Sequence, residues 1–173
     1  MSDWVTKEKV NSLKKIGQHI EPTEDDYAYL AGIIDSEGCF RIKKWKPKDK
    51  PNYVYAINLE IGNKRFPIFP WLTERFGGNT GFYYSKNIIK PMAIWTISAK
   101  SLTDIIHHIY PFLICKKEVA KKIIEFTKTI LPNGGDRNSE TFKESYARVI
   151  ETREKIVNEI HKLNLKGVKI TEF

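Results

Sequence analysis

The stretch from Thr23 to Lys43 changes its hydrophobic period partway, and no other feature constrains the fold as much. Thr23-Glu24-Asp25-Asp26 reads as a helix start, because a threonine side chain can cap free amides and acids in the first turn suit the helix dipole. The helix continues through Tyr27-Ala28-Tyr29-Leu30-Ala31-Gly32-Ile33-Ile34-Asp35 and ends near Ser36-Glu37-Gly38. From Gly38 onward Phe40 and Ile42 alternate with Arg41 and Lys43, a strand with one apolar and one basic face. Two features of the helix stand out. Ala28, Gly32 and Ser36 recur every fourth residue, a stripe of small side chains that lets two helix backbones come close. Asp35 and Glu37 crowd its C-terminal end, where the dipole disfavours acids, so they call for a cation or for a partner's donors.

Charge is distributed unevenly. The chain has 173 residues and a formal net charge of +8, yet residues 39–100 alone hold 12 Lys and Arg against 3 acids. The whole excess therefore sits in the segment that follows the helix, the footprint of a surface for a polyanion, most often nucleic acid. With 41% hydrophobic residues the chain has enough apolar surface for a core, and its length suits one elaborated domain. No run approaches the roughly 18 apolar residues of a membrane span. Residues Met1 to Ile20 lack the apolar core of an export signal, and Cys39 and Cys115 are too few for a disulfide framework, so the expected setting is intracellular and reducing.

The remaining elements follow from periodicity. Residues 3–19 read as a short amphipathic helix broken by Glu21-Pro22. Trp45 to Asn52 is a basic loop, Tyr53 to Ile61 a second alternating strand, and Phe66 to Phe76 a helix. Gly77 to Gly81 reads as a turn, and Phe82–Ser85 with Met92–Ser98 as a hairpin. Helices follow over Lys100–Tyr110, Lys116–Leu131 and Glu140–Asn164, with Pro132 to Ser139 as a loop. The fold class is α+β with a four-stranded antiparallel sheet, one face covered by helices. The other face would carry Arg41, Lys43, Asn58, Glu60, Ser85 and Thr96, side chains able to read base edges in a major groove.

Leu30-Ala31-Gly32-Ile33-Ile34-Asp35-Ser36-Glu37-Gly38 resembles the motif of the LAGLIDADG homing endonucleases at all nine positions in type, with Glu37 in place of the second aspartate. The resemblance covers residues 22–164 and implies that family's fold, an αββαββα core with C-terminal helices. Residues 1–21 would be an N-terminal helical extension and 22–173 a single endonuclease domain. One motif copy is present, and single-motif members of the family act as homodimers on a pseudo-palindromic double-stranded DNA target. A ten-residue strand spans about 33 Å, so two half-sites give about 20 bp. The interface set implied is Ala28, Ala31, Gly32, Asp35 and Ser36, with Asp35 capping across it.

By the same resemblance Glu37 is the catalytic, metal-binding acid, and the Ser36 carbonyl a second metal contact. The cofactor implied is Mg²⁺, with Mn²⁺ or Ca²⁺ as other occupants. Tyr110-Pro111-Phe112-Leu113-Ile114-Cys115-Lys116-Lys117 is similar to the family's Pro-Phe-Leu-x-x-Lys segment, which makes Lys116 the lysine that stabilises developing charge. Asn63 stands where the family often has glutamine, Arg65 is the nearby basic group, and Pro67 occupies a family arginine position. The remaining DNA contacts implied are Trp45, Lys46, Lys48, Lys64, Tyr83 and Lys86.

His107 and His108 read as structural, because neighbours on a helix point about 100° apart. Cys39, Cys115 and the strand aromatics Tyr84 and Trp95 read as packing residues. No GxxxxGK[ST], HExxH or GxSxG occurs, which leaves ATPase, zincin and serine-hydrolase readings unsupported. The alternative is a non-cleaving protein of the same fold, an intron-splicing maturase that binds intron RNA or a transcriptional regulator. An intron-borne gene in an organelle or in a prokaryotic cytoplasm fits either reading.

Overall fold

The computed structural model describes residues 3–13, 19–48, 53–84, 91–130 and 140–165, with the side chains of 141, 142 and 165 excepted. It divides into two compact units, Met1–Lys116 and Lys117–Phe173. The first unit contains helices α1 (Lys7–Ser12), α2 (Glu24–Glu37), α3 (Ile68–Phe76) and α4 (Ala99–Ile109), and strands β1 (Gly38–Trp45), β2 (Val54–Asn63), β3 (Asn79–Tyr83) and β4 (Met92–Ser98). The strands form one antiparallel sheet in the order β1-β2-β4-β3, so the expected α+β class and four-stranded sheet are present.

The register sorts the residues onto two faces. Phe40, Leu59 and Ile97 align across the sheet, as do Ile61 and Trp95, and all five are buried against the helices. Trp95 has its indole N–H satisfied by the Gly77 carbonyl at 2.8 Å, which confirms it as a core residue. On the opposite face Glu60 lies between Cys39 and Thr96, and Asn58 between Arg41 and Ser98.

Helix α2 begins with a complete capping box. The Thr23 hydroxyl accepts from the Asp26 N–H at 3.3 Å, and the Asp26 carboxylate accepts from the Thr23 N–H at 2.9 Å. That backbone hydrogen bond is the main cause of an Asp26 pKa below its ordinary 3.8. Burial opposes it, and the Thr23 hydroxyl, Arg75 and Trp71 reinforce it. Pro67 and Pro70 fit helix α3 because they stand before and within its first turn, where no intrahelical N–H partner is needed.

Several boundaries differ from the sequence expectation. The first helix is confined to Lys7–Ser12, capped by Thr6, and residues 14–18 lie outside the described residues. Asp3 to Val5 instead run extended beside Lys64–Phe66, with a β-bridge between Trp4 and Arg65. The turn expected over Gly77 to Gly81 needs only Gly77 and Gly78, whose φ values of 65° and 81° glycine tolerates, so β3 already starts at Asn79. The fifth helix starts at Lys117 rather than Lys116. Ser85, Lys86 and the 132–139 loop lie outside the described residues.

The second unit pairs α5 (Lys117–Thr127) with α6 (Glu140–Leu165). Val119, Ile123, Phe126, Ile156 and Ile160 are buried. Arg153 donates to the Thr129 hydroxyl at 3.0 Å and carbonyl at 2.7 Å, and Lys122 bridges Glu125 and Glu159 at 2.8 and 2.9 Å. Among the described residues no helix is long and apolar enough to cross a membrane.

Thr23→Ala should lower stability by about 1 kcal/mol at neutral pH in urea titrations. A depressed carboxylate pKa stabilises the fold above the ordinary carboxylate range and loses that contribution as pH falls through the folded-state value. The gap between Asp26→Ala, which removes the depressed carboxylate itself, and the parent should therefore narrow as pH falls below 3.8. A gap that stays constant to low pH would contradict the capping assignment.

Candidate active site

The site forms where α2 ends. Its last turn carries two acids against the helix dipole, and the chain deals with them separately. Asp35 turns back into the fold, where its carboxylate accepts from the Ile114 N–H at 2.7 Å and the Lys116 N–H at 2.9 Å. Lys116 answers from the other side. Its ammonium donates to the Ile34 carbonyl at 2.5 Å and the Asp35 carbonyl at 3.0 Å, a cation on the negative end of the helix. The two residues form a reciprocal clasp, each side chain satisfying the other segment's backbone.

Glu37 is left as the outward acid. It is exposed, and among the described residues its carboxylate takes one hydrogen bond, from the Asn63 amide nitrogen to Oε2 at 2.9 Å. Asn63, the last residue of β2, has its own amide oxygen occupied by the Arg65 N–H at 2.7 Å, which fixes the amide so that nitrogen faces Glu37. Gly38 closes the helix by a close approach. A Cβ there would lie 2.7 Å from the Ile34 Cα and 2.9 Å from its carbonyl oxygen. No side chain fits, so the chain can leave the helix and enter β1 within one residue.

The sequence-derived site set is thus partly assembled. Glu37 and Asn63 are brought together. Lys116 reaches the end of the same helix, but its ammonium holds the Ile34 and Asp35 carbonyls and makes no ion pair with Glu37 among the described residues. Arg65 does not bring its side chain to Glu37. Its guanidinium lies over the Trp4 ring, 4.3 Å from the centroid, and 4.0 Å from the Asp3 carboxylate. Asp35, expected to cap across an interface, accepts with both its oxygens from N–H groups of its own chain. Ala31, expected in the same set, is fully buried in the core. Ala28 is half-buried, while Gly32 and Ser36 are exposed, and a Cβ on Gly32 would meet nothing within 4 Å.

Across the sheet's open face, Arg41 and Lys43 remain 57% and 52% exposed but converge on Glu60, at 3.3 and 3.2 Å. Asn58, expected among the readers of DNA, is buried, with its amide oriented to donate to the Ile57 carbonyl and accept from Lys43. Trp45, Lys46, Lys48, Lys64 and Tyr83 are exposed, and Thr96 is half-buried. Cys115 is exposed, not packed. His108 stacks on Tyr27 at 4.7 Å, in keeping with a structural role. Sequence reasoning missed the exposure of Tyr53, Tyr84 and Ile114, the last 83% exposed beside the Asp35 clasp. Tyr53 and Tyr84, expected within strands, lie just outside β2 and β3, and Ile114 lies in a connection that carries no periodic signal.

The end of α2 thus presents one carboxylate outward, at the head of a sheet face that carries Arg41 and Lys43. The profile of the LAGLIDADG endonuclease family matches residues 30–131, from the motif into the helical region, and the chain belongs to that family. Solved structures agree on the fold. The homing endonuclease I-CvuI in complex with its target in the presence of calcium is 19% identical, with a TM-score of 0.65 over 87% of this chain and 88% of that one. The archaeal intron-encoded I-Vdi141I complexed with DNA is 16% identical, TM-score 0.62, over 87% and 91% of the two chains. The group I intron-encoded I-CeuI complexed with DNA is 13% identical, TM-score 0.60, over 92% and 87%. A comparison with curated proteins returned no match.

Gly38→Ala should cost about 2 kcal/mol, because the methyl group collides with backbone that cannot yield without unwinding the last turn of α2. Thermal denaturation measures this; a melting temperature equal to that of the parent would show that the turn relaxes freely.

Proposed function

We propose that the protein is a homodimeric, metal-dependent endonuclease that cuts double-stranded DNA at a near-palindromic site of about 20 bp. The observation that carries the reading is the Glu37 carboxylate, held outward at the end of α2 by Asn63. A pure binding protein gains nothing from an outward acid beside a face meant for phosphates.

The donor set suits a hard divalent cation: a carboxylate from Glu37 and the neighbouring Ser36 carbonyl, both oxygen ligands of the kind Mg²⁺ takes together with phosphates and water. Among the described residues no group of three or more His, Cys, Asp or Glu could hold a metal ion. The remaining ligands would come from DNA and from Glu37 of a second copy. Bound there, the ion supplies an acidified water and neutralises charge on the scissile phosphate. The chain's own groups do the positioning. Asn63 orients the carboxylate, and Lys116 locks the carbonyls that precede Ser36. The open stripe Ala28, Gly32 and Ser36 is where a second α2 can approach. Arg41 and Lys43 approach phosphates or bases, exchanging Glu60 for the nucleic acid.

Glu37→Gln should retain binding to the selected target and lose cleavage by at least 100-fold, and EDTA should silence the parent to the same extent. Cutting of a randomised duplex library, read by sequencing the cleaved ends, measures both; substantial cleavage by the variant would refute the assignment, and binding without cutting in the parent would favour a splicing or regulatory protein of the same fold. Glu60→Gln should release Arg41 and Lys43, tightening binding to random duplex DNA and steepening the log K against log salt slope by about one. Fluorescence anisotropy across salt would expose an unchanged slope.

A further inference from the structure

We infer that the N-terminal segment is a positioning strap for Glu37, acting through one peptide unit and the Asn63 amide. The inference rests on the reading of Glu37 as the metal-holding acid. Its centre is the peptide between Lys64 and Arg65. The carbonyl of that peptide accepts from the Val5 N–H at 3.0 Å, and its N–H donates to the Asn63 Oδ1 at 2.7 Å. In a trans peptide the C=O and N–H point in opposite directions. Tying the carbonyl to Val5 therefore aims the N–H at Asn63. The next peptide is tied as well, because the Phe66 N–H donates to the Asp3 carbonyl at 2.8 Å. The Arg65 guanidinium is held over Trp4 at 4.3 Å, which keeps the two segments in register.

The consequence runs one residue further. With its oxygen taken by Arg65, the Asn63 amide can offer only nitrogen to Glu37, and does so at 2.9 Å. Both Glu37 and Asn63 sit at the ends of elements, where side chains otherwise sample several rotamers. The strap is itself anchored deeply, since Val5, Val10 and Leu13 are buried. Rigidity is thus passed from the core to an exposed carboxylate by four hydrogen bonds and a ring contact. Groups that orient a ligand in this way typically matter about 10- to 100-fold for metal affinity or activity.

Trp4→Ala tests this, with Trp4→Phe as the variant that keeps a ring beneath Arg65. Trp4→Ala should slow single-turnover cleavage at saturating DNA and Mg²⁺ roughly ten-fold, with target affinity held within about two-fold, and Trp4→Phe should restore the rate. In an Asn63→Ala background Trp4→Ala should cost nothing more, since the route to Glu37 is already cut. An activity-free readout accompanies these. In the free protein, ¹⁵N NMR should show a distinct pair of Asn63 side-chain amide protons, one displaced by its carboxylate acceptor, that converges in Trp4→Ala and persists in Trp4→Phe. This measurement needs neither DNA nor metal, so it judges the strap even if Glu37 proves to hold no ion. Losses that multiply in the double variant, or Asn63 signals unchanged in Trp4→Ala, would overturn the inference.

Discussion

Two carboxylates at the negative end of one helix repel each other and the helix dipole, and the site is organised around that conflict. The reciprocal clasp resolves half of it. Asp35 is absorbed by two backbone N–H groups, and the Lys116 ammonium neutralises the carbonyl end that made the position unfavourable. Once one acid is removed and the end is neutralised, the other can stand in solvent at little cost. Gly38 then permits the immediate turn into β1, which places Glu37 at the head of the basic face. Clasp, carboxylate and sheet are consecutive consequences of how α2 stops.

Much of this was legible in the sequence. The cap at Thr23, the change of period at Gly38 and strand β4 at Met92–Ser98 follow from local chemistry that tertiary contacts do not override. The place of Asn63 in the site set came from resemblance, and its hydrogen bond to Glu37 is what the structure adds. What could not be read were the contacts between residues distant along the chain. Nothing near Asp35 says that its acceptors' partners lie some eighty positions away, and nothing near Trp4 says that it will lie beside Arg65. Ala31 entered the expected interface set through the resemblance, and residue type alone does not show that it lies on the buried side of the helix. For Asn58, alternation placed it on the polar face, but its burial depends on the neighbours across the strands.

The basic face is also less charged in the free protein than its composition suggests. Glu60 sits where two cations meet, so Arg41 and Lys43 engage an internal anion before any nucleic acid arrives. Such an arrangement trades affinity for discrimination, because a partner must offer enough to displace a bonded carboxylate. Random duplex offers phosphates only, whereas a matching sequence adds base-edge contacts.

The sheet order carries a last implication. β1 is an edge strand, one of its long sides free of pairing within the sheet. Open edges invite other strands, and proteins commonly defend them with charged side chains, lysine above all. Arg41, Lys43 and Lys44 provide that defence along β1. On the proposed reading, Arg41 and Lys43 therefore serve recognition and guard this edge at once. Retargeting by replacing these cations with apolar or uncharged groups would unmask an aggregation-prone border, so altered specificity and lost solubility would arrive together unless new charge were introduced elsewhere on the same strand.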